Sequence, residues 1–107
     1  MPANTLILYP NEPDITFDIN YCLNLHMPLV ERLWTKYGLR NWQVTKFTCT
    51  PDGSKSPYLI CTTIEWESID GVRAAFAGPE FVDLIKDAAN MSNKRPIFLI
   101  GEQLGAD

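Results

Sequence analysis

Two short segments near opposite ends of the chain, Leu6-Ile7-Leu8-Tyr9 and Ile97-Phe98-Leu99-Ile100, are apolar at every position. A strand with one wet face alternates apolar and polar residues, so these two read as strands kept from water on both sides. With 107 residues there is length for one hydrophobic core but little for a second. One domain is therefore expected over residues 1–107, and its core must cover most of two greasy strands.

The segments between them set the topology. The first strand, Thr5 to Tyr9, stops at Pro10, and Asn11 to Asp14 is rich in turn formers. A helical segment is predicted from about Asp18 to Tyr37, with the Asp18 carboxylate capping its start and Gly38 past its end. At roughly 100° per residue, Cys22, Leu25, His26, Leu29, Val30, Leu33 and Tyr37 share one face. Pro28 has no N–H for the carbonyl of Asn24, which predicts a kink or two helical pieces meeting near His26. A second strand is expected from about Trp42 to Thr50 and a third from Tyr58 to Trp66, joined as a hairpin by the loop Pro51 to Pro57. Ser68 starts another helix with Asp70 in its positive first turn. Gly78-Pro79 breaks it, and Pro79 suits the start of a further helix from Glu80 to about Ala89. Phe76, Phe81, Leu84, Ile85 and Ala88 form the apolar side of this pair. The polar stretch Asn90 to Arg95 leads to a last strand, Ile97 to Glu102.

Strand, helix, strand, strand, helix, strand is the order of the ferredoxin-like split βαβ unit. The expected class is α+β: a four-stranded antiparallel sheet with helices on one face. The helices can bury only one side of the sheet. The other side must meet something, because a large exposed apolar patch is unusual on a soluble monomer. A second copy, sheet against sheet, is the simplest partner and closes with two-fold symmetry. The alternative is burial by the chain's own tail, but only five residues follow Glu102.

Composition narrows the function. The net charge is −4, and the nine Lys and Arg residues cluster nowhere beyond Lys94-Arg95. Nucleic acid is not an expected partner. No apolar run approaches the roughly 18–20 residues of a membrane span, and the N-terminal residues lack a signal-peptide pattern. The three Cys read as reduced thiols, consistent with a cytoplasmic protein. Cys22, Cys49 and Cys61 lack close Cys-x-x-Cys spacing and the chain has one His, so no metal site is expected. No Gly-rich loop follows the first strand, so no dinucleotide site is suggested. No cofactor is expected.

One string carries a resemblance. Phe17-Asp18-x-x-Tyr21-x-x-x-x-His26-x-Pro28-Leu29, following a strand that ends in Tyr9-Pro10, resembles the EthD family of the dimeric α+β barrel superfamily. Gly38-Leu39 and the terminal Ile100-Gly101-Glu102 are similar too. The resemblance spans nearly the whole chain. It implies a homodimer of ferredoxin-like protomers and a small-molecule cavity between sheet and helices in each. Relatives are associated with cofactor-free oxygenation, dehydration, cyclisation or isomerisation of aromatic and polyketide-like metabolites.

His26 is then the first candidate catalytic residue, a general acid or base at a cavity wall. The alternative is a core His bonded to a backbone carbonyl. Tyr21, the second candidate, precedes it by five residues, and a kink could bring both to the cavity; a Tyr packed at the helix start is the alternative. Tyr9, Leu29, Trp34, Phe47, Trp66, Phe76 and Phe81 are candidate substrate-binding walls, or ordinary core. Asp18 reads as a cap, the Asp83–Asp87 pair as a solvated face, and Cys49 and Cys61 as small core residues on facing strands. The expected function is an enzyme acting on an apolar aromatic or polyketide-like metabolite. A non-catalytic carrier and an accessory dimeric protein are the alternatives.

Overall fold

The computed structural model describes residues 2–107. Four strands, β1 (Ala3–Pro10), β2 (Leu39–Lys46), β3 (Tyr58–Trp66) and β4 (Ile97–Glu102), form one antiparallel sheet in the order β2-β3-β1-β4. This is the expected ferredoxin-like arrangement. β1, which carries the apolar run Leu6 to Tyr9, lies inside the sheet, with Leu6 opposite Thr63 of β3 and Leu99 of β4. The second strand differs from expectation: it begins at Leu39 and ends at Lys46, so Phe47 to Thr50 belong to the loop. Gly38 explains the early start. Its left-handed backbone (φ 98°) reverses the chain at once, and its carbonyl already accepts a bond from Glu67 N–H. Cys49 consequently lies exposed in the loop rather than opposite Cys61, which is buried.

The first helical segment is built from three hydrogen-bond patterns. α1 (Ile19–Tyr21) is capped by Asp18, whose carboxylate accepts from Tyr21 N–H at 3.0 Å. A π turn covers Cys22–His26, with Met27 N–H reaching back to Cys22 O. α2 (Met27–Trp34) follows and closes in a 3₁₀ turn at Thr35–Tyr37. The expected irregularity is therefore a π turn ending just before Pro28, which sits harmlessly in the first turn of α2. α3 (Ile69–Ala77) is capped by Ser68, and α4 (Glu80–Ala88) starts after Pro79. Among the described residues, no helix is long and apolar enough to cross a membrane.

All the helices pack on one side of the sheet. Ala3, Thr5 and Tyr9 of β1 and Ile60, Ile64 and Trp66 of β3 are buried there against Val30, Trp34, Val72 and Ala75. Trp34 and Trp66 meet with ring centroids 5.3 Å apart. Each such ring removes roughly 150–250 Å² from water, about 4–6 kcal/mol at ~25 cal/mol per Å². The bond from Trp66 Nε1–H to Thr5 Oγ1 (3.1 Å) accounts for a buried Thr in this layer. At about 1 kcal/mol it fixes orientation more than it stabilises.

The opposite face is half open. Leu6, Leu8 and Leu59 are only partly covered. By strand register they lie beside Ile97 (46% exposed) and Leu99 (52% exposed). The chain's tail does not cover them.

Gly71 separates propensity from packing. Within an exposed helix, Gly→Ala stabilises by up to about 1 kcal/mol. Here a Cβ would stand 2.1 Å from the carbonyl oxygen of Tyr37. Gly71→Ala should instead destabilise, by about 1–3 kcal/mol, read as a lower urea midpoint at unchanged slope. A rise in midpoint would show that α3 does not approach Tyr37 so closely.

Candidate functional site

The π turn decides what the first helical segment presents. On an unbroken α-helix five residues leave Tyr21 and His26 about 140° apart. The wider π turn, bonded i to i+5, brings them to the same side. Both reach one carboxylate on α4. Tyr21 Oη–H donates to Asp87 Oδ1 at 2.6 Å, and His26 Nδ1 lies 2.8 Å from Asp87 Oδ2. Asn90 Nδ2–H donates to the Tyr21 oxygen at 3.3 Å. Asp87 is thus not part of a solvated acidic face. Asp83 is exposed, but the Asp87 side chain is 20% exposed and occupied on both oxygens. The difference is angular, since Asp87 lies three residues beyond the buried Leu84 and beside Ala88.

Burial alone would push the Asp87 carboxyl up. The bonds from Tyr21 and His26 outweigh it and hold the group below its ordinary value. An ionised carboxylate only accepts, so in the neutral imidazole the proton sits on Nδ1 and the lone pair on Nε2. In turn, the bond to Asp87 pushes the Tyr21 phenol up. That hydroxyl is engaged with Asp87, and Tyr21 is not among the residues that line the hollow.

His26 (8% exposed) forms part of a small hollow between α2, α4 and the sheet. Ile7, Val30, Leu84, Pro96 and Phe98 give it an apolar wall, together with Tyr9, Trp34 and Phe81. Its volume is about 40 Å³, room for a few waters. It is continuous in its lining with a groove of about 630 Å³, through Tyr9, Ile85, Ala88, Pro96 and Phe98. The groove has the size of an ordinary ligand site and the hollow alone does not. A ring lying in the groove could therefore push only one edge toward the imidazole.

Of the residues expected at the walls, Tyr9, Trp34 and Phe81 line the hollow, while Leu29, Phe47, Trp66 and Phe76 do not. Trp66 and Phe76 both pack against Trp34, behind the wall. Leu29 is partly buried on α2, and Phe47 lies past the end of β2. Ile85, expected in the core, is 44% exposed at the groove. Phe98 had no sequence signal beyond its place in a greasy strand. Burial, and to a lesser degree the nearby Cys22, pushes the Tyr9 phenol up to about 12, so it stays an O–H donor at neutral pH. Burial likewise pushes the Cys22 thiol up to about 11, far from thiolate chemistry. Buried Trp34 Nε1 has no hydrogen-bond acceptor among the described residues. Its ring is packed among Trp66, Phe76 and Phe81.

In sequence the chain matches no protein-family model and no curated protein. Its structure is similar to solved ones. An EthD-like protein from Ralstonia eutropha JMP134 superposes with a TM-score of 0.87 at 20% identity, covering 99% of this chain and 95% of that one. An ethyl tert-butyl ether D (EthD) family protein from Bacillus halodurans C-125 gives 0.74 at 24% identity, covering 97% and 100%. SnoaB, a cofactor-independent oxygenase from Streptomyces nogalater, gives 0.60 at 9% identity, covering 98% and 95%. The chain has the ferredoxin-like fold of the EthD-like proteins.

Proposed function

We propose that this chain is an EthD-like enzyme that takes a proton from an apolar aromatic or polyketide-like carbonyl compound, with His26 as the base and no cofactor. The observation that carries this reading is the His26–Asp87 pair set into an apolar hollow. Nε2 accepts a proton from the carbon beside the carbonyl while Nδ1–H stays bonded to the Asp87 carboxylate, which stabilises the imidazolium that forms. The imidazolium then returns the proton, to another carbon in an isomerisation or to a departing hydroxyl in a dehydration. Tyr9, still protonated, is the available O–H donor for the enolate oxygen. Cofactor-free oxygenation, the activity named for SnoaB, would begin with the same deprotonation.

Exchange of the acidic C–H of 2-tetralone in D₂O, followed by NMR, tests the base without knowledge of the natural substrate. The protein should accelerate exchange. His26→Ala should abolish the acceleration while the protein still folds and melts cooperatively, and Asp87→Asn should reduce it by about 10²–10⁴-fold. Binding of the ketone without any exchange would leave a carrier instead. A purely structural His26 would show as a His26→Ala variant destabilised by about 1–3 kcal/mol that keeps the wild-type exchange rate.

The pair also sets a pH dependence of stability. The Asp87 carboxyl is held below its ordinary 3.8, so its contribution is complete above that value and is lost as pH falls through the folded value. The difference in urea midpoint between the wild type and Asp87→Asn should be constant at neutral pH and shrink below about pH 4. A gap that widens on acidification would contradict the pairing.

We also propose that two copies join through the half-open sheet face. Leu6, Leu8, Leu59, Ile97 and Leu99 supply an apolar patch on the side away from the hollow. Sedimentation at micromolar concentration should give a dimer, and Ile97→Glu with Leu99→Glu should give a monomer. A folded wild-type monomer at that concentration would refute it.

A further inference from the structure

Lys94-Arg95 is the one cationic cluster in a chain of net charge −4, and both residues stand in the wall of the groove. Among the described residues, no carboxylate stands in that wall. The segment is firmly fastened. Asp18 N–H donates to Met91 O at 2.8 Å, Thr16 N–H to Asn93 Oδ1 at 2.9 Å, and Asn93 Nδ2–H to Asp14 O at 2.9 Å. Lys94 N–H donates to Ser92 Oγ at 3.2 Å. The Lys94 ammonium is turned to Glu12 (3.0 Å) and Asp14 (2.9 Å), neither of which stands in the groove wall. Ser92, Asn93 and Lys94 are therefore spent on holding the rim. Among the described residues, Arg95 is the rim cation with no carboxylate partner.

We propose that Arg95 selects a ligand carrying a carboxylate on an apolar aromatic body. The body lies along Phe98, Pro96 and Ile85 with one edge toward His26, and the carboxylate meets the Arg95 guanidinium at the mouth. Physical chemistry favours this orientation. The inner wall is apolar and would charge a desolvation penalty for the anion, whereas the rim offers a planar donor fork suited to a carboxylate. The chain's overall negative charge repels anions at long range, so any preference for one must come from a local group such as Arg95. This inference rests on the small-molecule reading above and adds the charge of the ligand to it.

Size-matched probes separate the two. 2-Naphthoate and the neutral 2-naphthalenemethanol are titrated into the full chain, with the His26 ring signals followed by NMR. The wild type should bind naphthoate about threefold to tenfold more tightly at low salt, and the preference should shrink toward 1 M KCl. Arg95→Gln should abolish the preference while leaving the affinity for the alcohol unchanged, and Arg95→Lys should restore part of it. Equal affinities in the wild type, or a preference that survives Arg95→Gln, overturn the role of Arg95 while the alcohol arm still upholds a small-molecule site. Failure of both probes to bind overturns both readings.

Discussion

Everything at the site depends on the contact between Trp34 and Trp66. One ring ends α2 and the other ends β3, so their packing clamps the helical layer to the sheet. Phe76 and Phe81 lock against Trp34 from the other side, and Phe98 reaches both of them from β4. Large rigid surfaces hold this layer, and hydrogen bonds only orient it. Such an aromatic block cannot easily rotate, so the helix bearing His26 is fixed against the helix bearing Asp87.

On that frame the π turn does the local positioning. It ends just before Pro28 and changes the angular phase of the residues ahead of it without disturbing α2. Tyr21 gains the same side as His26, and both settle on Asp87. One carboxylate is thereby held ionised near an apolar hollow, with its two oxygens assigned to different partners. The imidazole is left with a single free nitrogen.

Much of the fold was legible. Tyr58–Trp66 and Ile97–Glu102 were delimited by their apolar runs and flanking turn residues, and Asp18 and Ser68 marked helix starts through capping chemistry. β2 differs at both ends: its start at Leu39 is set by the left-handed Gly38 and its bond to Glu67, whereas Phe47 to Thr50, residue types of good strand propensity, lie in the loop past Lys46. The site was only half legible. A lone His on an apolar helical face pointed to His26. Asp87 was hidden because its role depends on where α4 docks, and helical spacing alone paired it with the exposed Asp83. Trp66 and Phe76 illustrate the reverse: aromatic type suggested a wall, but the second row of packing claimed them.

β4 carries a further implication. It is an edge strand with no proline, and no charge before Glu102. Natural edge strands usually carry such features to discourage strand-by-strand growth. Here the solubility of the chain is tied to whatever covers Ile97 and Leu99, so crowding, tagging or truncation near this edge would be felt first as a tendency to aggregate, before any loss of the helical layer.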